Sequence, residues 1–253
     1  MLANLQLDLA MLCLGAVFGG FGGLFGVGGG IIAIPILVLL FHMTQQLAQG
    51  TSLVMILPSV LLGFWKYRQR NSIDVRMAAL LGGSAVLATY VAARLANAIT
   101  TNTLRIAFAT FLAMMSAYLA WKVIRSIANN RPRKALSWVY SWVVGVIGGL
   151  LSGLFGVGGA TIAPPALTGF FGLSQTAAQG LALAMIAPGT VVALLVYGNA
   201  GAVNWGMGAA MAIGSLIAVP LGVAAAHRLP DRTLKLLFCG FLMINAIGII
   251  VGQ

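Results

Sequence analysis

From Ala135 to His227 the chain runs for 93 residues without one Asp, Glu, Lys or Arg. A second charge-free run separates Asp8 from Lys66. A membrane-crossing helix needs about 20 apolar residues, so each run has room for several helices in series. Neither can coat a water-facing globule: charged residues make up 7% of the chain, against about 25% in ordinary soluble domains. The expected fold is an all-α polytopic membrane protein. The net charge of +11 would suggest nucleic acid in a soluble protein. Here the bases lie in short clusters between apolar segments, where membrane topology explains them, and no nucleic-acid partner is expected.

The chain is also a duplication. Gly23 to Pro35 matches Gly153 to Pro165 at ten of thirteen positions, an offset of 130. The offset persists downstream: Gln45, Gln49, Gly50 and Pro58 correspond to Gln175, Gln179, Gly180 and Pro188. Each copy opens with a glycine-rich stretch, Gly26-Val27-Gly28-Gly29-Gly30 in the first and Gly156-Val157-Gly158-Gly159-Ala160 in the second.

That stretch must interrupt a helix. Residues 9–41 would form one helix about 50 Å long, against a hydrocarbon core of about 30 Å. Glycine adopts non-helical backbone most readily, so the reading is a helix over 9–25, a turn, and a shorter helix to 41. Helices are expected next at 50–66, 76–96 and 103–124. The second copy gives 138–155, 161–171, 178–197, 203–226 and 233–251. Residues 1–124 are then a first repeat, 125–136 a linker and 137–253 a second repeat. Pro35 and Pro164-Pro165 fall near the starts of the short return helices, where proline is tolerated.

Basic residues choose between topologies. If each broken block returns to the side it entered, as a hairpin, 12 bases face the cytoplasm and 2, Arg94 and Arg105, face outward. If each block crosses once, the split is 9 to 5. The hairpin gives five passes per half. The expectation is two inverted repeats, with both termini outside and a cytoplasmic linker.

No enzyme signature is present. Glu is absent, and Asp8, Asp74 and Asp231 lie at segment ends, as do His42 and His227. A carboxylate dyad, a metal cage and a Ser–His–Asp arrangement are all excluded at depth. The glycines do not fit G-x-G-x-x-G, because the third position is Ile31 or Thr161. Cys13 and Cys239 read as small packing residues. No cofactor is expected.

The glycines divide by spacing. Gly15, Gly19 and Gly23, and again Gly145, Gly149 and Gly153, recur every fourth residue, the pattern that lets membrane helices approach closely. Consecutive glycines cover too wide an arc for one packing face, so a backbone role suits Gly26, Gly28, Gly29 and Gly30, and likewise Gly156, Gly158 and Gly159. The helix starting after each break presents N–H groups without intrahelical acceptors, and such ends bind small anions. Inverted copies would bring two such ends together from opposite sides. Gln49 and Gln179 stand at the next helix start, with Gln45 and Gln175 one turn earlier. Contact with substrate and plain capping both remain open for them. Thr51 is a further candidate contact, although its counterpart is Leu181.

The duplicated Leu-Phe-Gly-Val-Gly-Gly, with Pro35 and Pro165 downstream, resembles the TauE/SafE sulfite exporter family of prokaryotic membrane permeases over essentially the whole chain. The resemblance implies a secondary transporter, an exporter, for a small sulfur-containing anion such as sulfite or an organosulfonate. It also implies a multi-pass location in the cytoplasmic membrane. The second copy departs from the motif at Ala160 and Pro164. An anion-selective channel and a membrane scaffold without transport are the alternatives. Small anions and the lipid bilayer are the expected partners.

Overall fold

The computed structural model describes residues 2–71, 73–128, 136–157, 159, 161–230, 233–234, 236–238 and 240, and none of these lies in a strand. The linker expected at 125–136 and the last expected helix at 233–251 fall largely outside them, as do Gly158 and Ala160. The elements are α1 (Leu2–Phe25), α2 (Gly30–Leu40), α3 (Gln45–Arg70), α4 (Val75–Ala98), α5 (Thr101–Ala128), a 3₁₀ turn (Trp138–Tyr140), α6 (Ser141–Phe155), α7 (Ala163–Phe170), α8 (Gln175–Asn199) and α9 (Trp205–Arg228). Five are long and apolar enough to cross a membrane: α3, α4, α6 with its lead-in turn, α8 and α9.

Three helices start three or more residues before expectation: α1 at Leu2 rather than 9, and α3 and α8 for one shared reason. Thr44 caps α3, its hydroxyl accepting from Leu47 N at 3.3 Å, and Ser174 caps α8 by the same contact from Ala177 N. Such caps satisfy amide groups that lack helical acceptors. Both helices therefore begin five or fewer residues earlier than apolarity suggests, at Gln45 and Gln175. Gln49 and Gln179 are corrected from helix starts to the second turn. Pro35 is corrected likewise: it lies inside α2, whereas Pro164 and Pro165 do sit in the first turn of α7.

The glycine stripes set the packing. A methyl added to Gly19 would lie 2.5 Å from the Ser215 backbone, and one on Gly23 2.5 Å from Val219 O; Gly15 abuts Met211 in the same register. α1 therefore runs parallel to α9. Gly145, Gly149 and Gly153 of α6 abut Leu81, Ala85 and Thr89 of α4 in the corresponding way. The opening helix of each copy thus packs on a helix of the other copy. α3 and α8, equivalent by the offset, run antiparallel: Gln49 meets Tyr197 and Tyr67 meets Gln179.

This register gives the bundle two ends. One gathers the start of α3, the ends of α4 and α8 and the start of α9. The other gathers the end of α3, the starts of α4, α6 and α8 and the end of α9. The second carries Lys66, Arg68, Arg70, Arg76 and Arg228, the first Arg94 and Arg105. We call them the basic and the neutral end. Exposed aromatic rings sit at both, Trp65, Trp138, Tyr140 and Trp142 at the basic end, Tyr90 and Trp205 at the neutral end. Such rings favour membrane–water interfaces. α1 starts at the neutral end and stops level with Gly222 and Val223, about six residues short of the end of α9. α2 then folds back, since a methyl on Gly29 would overlap the Phe18 carbonyl. Both broken blocks are hairpins.

Candidate substrate site

Each break is a left-handed turn. Gly26, Gly28 and Gly29 have φ of 68°, 73° and 84°, and Gly156 and Gly159 have 66° each. Side chains with a Cβ rarely adopt these angles, so glycine is required by the backbone itself. Space adds a second constraint. Gly28 and Gly30 back onto Ile56 and Val60 of α3, where a methyl would lie 2.5 to 2.8 Å from a side-chain carbon. A methyl on Gly30 would also lie 3.3 Å from Gly156 O. The two breaks therefore meet inside the bundle.

Each break also touches the glutamine of the other copy. A methyl on Gly26 would lie 2.6 Å from Gln179 Cβ, and one on Gly156 2.9 Å from Gln49 Cβ. A tyrosine from the glutamine's opposite copy completes each contact. The Tyr67 hydroxyl lies 2.8 Å from Gln179 Oε1 and 2.9 Å from Gly23 O. The Tyr197 hydroxyl lies 2.7 Å from Gln49 Oε1 and 3.1 Å from Gly153 O. All four side chains are buried. Tyr67 and Tyr197 correspond at the offset of 130, so the signal that could have singled them out was present in the sequence.

The pairs differ at the amide nitrogens. Gln179 Nε2 donates to Leu24 O at 3.3 Å. Gln49 Nε2 is buried and has no hydrogen-bond partner among the described residues, and Gln45 Nε2, one turn away on the same face of α3, has none either. Two more buried oxygens flank the second break without a partner among the described residues, Ser152 Oγ and Thr161 Oγ1. Their counterparts at the first break are Gly22 and Ile31. Among the described residues, unsatisfied amide nitrogens and hydroxyls thus line the second break, whereas the Gln179 amide at the first has its acceptor.

Thr51 faces elsewhere. Its hydroxyl accepts from Asn204 N at 2.9 Å, which ties α3 to the loop that leads into α9. Among the named candidates the structure brings together Gly26, Gly30, Gly156, Gln49 and Gln179, places Gly28, Gly29 and Gly159 in the turns around them, and leaves Gly158 outside the described residues.

Residues 11–249 match the family described as sulfite exporter TauE/SafE. The chain belongs to that family. Its relatives include the probable membrane transporter protein YdhB of Bacillus subtilis, 25% identical over 90% of this chain and 92% of that protein. A second from the same organism, the probable membrane transporter protein YunE, is 24% identical over 90% and 91%. A probable membrane transporter protein of Methanocaldococcus jannaschii is 28% identical over 62% and 60%. No solved structure matches the chain. Like these TauE/SafE relatives it is a multi-pass membrane protein of the transporter class, and the glycine breaks lie inside the matched region.

Proposed function

We propose that the protein is a secondary transporter in the prokaryotic cytoplasmic membrane that exports a small sulfur-containing anion such as sulfite or an organosulfonate. The substrate is held at the meeting point of the two breaks, and the two Tyr–Gln pairs close it off toward opposite ends. Along α3, Gln49 and Tyr67 are eighteen residues apart, about 27 Å of helix, so the pairs guard different ends. By the positive-inside rule the basic end faces the cytoplasm. The two halves are then inverted repeats that exchange roles as access alternates.

The observation that carries this reading is the unpaired Gln49 Nε2. A buried donor without an acceptor costs about 1–3 kcal/mol, and an anionic oxygen supplies the missing acceptor. Gln45 Nε2, Ser152, Thr161 and the free amide groups at the start of a return helix add donors without adding charge. Neutral donors suit a carrier, because an anion bound by several hydrogen bonds but no cation can still leave. Efflux down an inside-negative potential gains about 2.3 kcal/mol per charge per 100 mV.

Flux in proteoliposomes, with sulfite, sulfoacetate, thiosulfate, taurine and sulfate in turn, tests the proposal. Saturable efflux and counterflow for a sulfur oxyanion are expected. Unitary currents would identify a channel, and no flux of any of the five would overturn the substrate class.

A further inference from the structure

Tyr67, whose hydroxyl reaches the first break, packs against a histidine. His227 lies in the last turn of α9, half-buried. Its Nδ1 is 2.8 Å from Val223 O. A carbonyl only accepts, so Nδ1 carries the proton. Its Nε2 is 3.0 Å from Asn71 Nδ2. A second carbonyl fixes the orientation of that amide, because Asn71 Nδ2 is also 3.1 Å from Tyr67 O. Asn71 Oδ1 accepts from the Thr176 hydroxyl at 3.2 Å. Asn71 therefore donates to a neutral imidazole. The imidazole packs on the Tyr67 ring with centroids 5.0 Å apart, and the Tyr67 hydroxyl holds Gln179 and Gly23 O. Tyr67 therefore touches this cluster through its backbone carbonyl and ring, and the first break through its hydroxyl.

Among the described residues the neutral end has no such arrangement. At the offset of 130, Asn97 stands where His227 does and Gly201 where Asn71 does. Asn97 Nδ2 donates to Ala93 O of its own helix at 2.9 Å, and Gly201 has no side chain. One Tyr–Gln pair is wired to a titratable group and its twin is not.

We infer that His227 and Asn71 position the Tyr67–Gln179 pair, and that protonation of His227 releases it, so that a proton acts selectively on access from the basic end. The inference rests on the transport reading above. An imidazolium donates at both nitrogens. Nε2–H and Asn71 Nδ2–H would then face each other at 3.0 Å. The amide must turn, and it cannot keep its bonds to both Tyr67 O and Thr176. Histidine is the side chain whose charge ordinarily changes between about pH 5 and 8. The groups facing His227 are Tyr67 and Asn71 from α3 and, through Asn71, Thr176 from α8. Among the described residues, the charged ones at the same end are Lys66, Arg68 and Arg70 on α3, Arg228 beside it on α9, and Asp74 and Arg76 at the start of α4. Asp74 is engaged there as the cap of α4, accepting from Arg76 N and Met77 N. α1 carries no charged residue after Asp8.

Two measurements test this. Imidazole ¹⁵N NMR on the purified protein, with His227 assigned by its loss in His227→Gln, reads the tautomer and its titration without any substrate. The Nδ1–H tautomer is expected at pH 8, with a titration that moves in Asn71→Leu; an Nε2–H tautomer or a titration indifferent to Asn71 would overturn the inference. Flux of sulfoacetate, whose charge stays nearly constant across about pH 5 to 8, reads the consequence. Wild type is expected to change by roughly 2- to 10-fold, the weight of one net hydrogen bond. His227→Gln, which keeps an acceptor for Asn71, should retain the pH 8 rate with a flat profile, and His227→Leu should lose that rate. His42→Gln should keep the wild-type profile. A wild-type profile in His227→Gln would overturn the inference. The predicted NMR behaviour with no flux of any sulfur anion would instead leave the hydrogen-bonded wiring standing and sink the transport reading.

Discussion

Tyr197 donates its hydroxyl proton to Gln49 Oε1 over 2.7 Å, and 130 residues earlier Tyr67 makes the same contact with Gln179. Each tyrosine's single hydroxyl proton is shared between the glutamine of the other copy and a carbonyl in the last turn before its own copy's break. One oxygen thus fastens three segments: α3, α8 and a broken hairpin. Motion of either hairpin relative to α3 and α8 must break such a bond.

Removal of either hydroxyl therefore loosens one end alone. Tyr67→Phe and Tyr197→Phe keep the ring and leave two acceptors without that donor. Thermal unfolding in detergent should show a loss of about 1–3 kcal/mol for each variant, with reduced flux in both. Wild-type flux in both variants would show that the pairs do not control access.

The unsatisfied amide predicts unequal glutamines. Gln49→Ala should weaken sulfite binding by about 1–3 kcal/mol, roughly 5- to 150-fold. Gln179→Ala should weaken it less, because that amide already donates to Leu24 O. Calorimetric titration of both variants decides; equal losses would mean that Gln179 leaves Leu24 to meet the substrate.

Thr51 separates support from contact. Thr51→Val leaves the Asn204 N–H without its acceptor, a cost of about 1 kcal/mol in stability, with sulfite affinity unchanged. A fall in affinity as large as that of Gln49→Ala would place the Thr51 hydroxyl on the substrate.

Glycine stripes predict where bulk is forbidden. Gly19→Leu or Gly149→Leu drives a side chain into the backbone of α9 or α4 and should abolish a monodisperse folded protein. Gly83, with no atom within 4 Å of an added methyl, should accept alanine and gain up to about 1 kcal/mol from helix propensity. Size-exclusion profiles and unfolding temperatures read both outcomes.

The basic end should face the cytoplasm. In a cysteine-free background, Gln69→Cys at that end should resist an impermeant maleimide in intact cells, and Asn199→Cys at the other should react. Reaction of Gln69→Cys from outside would reverse the orientation and turn the proposed exporter around.

The residue order alone determined the class of fold, the duplication and the breaks. Charge-free runs of this length are compatible only with membrane helices, and a 33-residue apolar block cannot lie straight across a bilayer. The glycines spaced four apart announced tight helix contacts because a 3.6-residue period puts them on one face, and the chain used them so. Tertiary structure decided what the breaks touch. Gln49 and Tyr197 are 148 residues apart, and no local pattern says that the glutamine of one copy meets the tyrosine of the other. That follows from α3 and α8 running antiparallel. Chemical asymmetry also needed the fold. Gln49 and Gln179 stand in the same Ala-Gln-Gly, yet only Gln179 finds a carbonyl for its amide. His227 reads from sequence as a histidine at a helix end. It joins the first break only because packing of α9 against α3 lays its ring on Tyr67 and its nitrogen against Asn71.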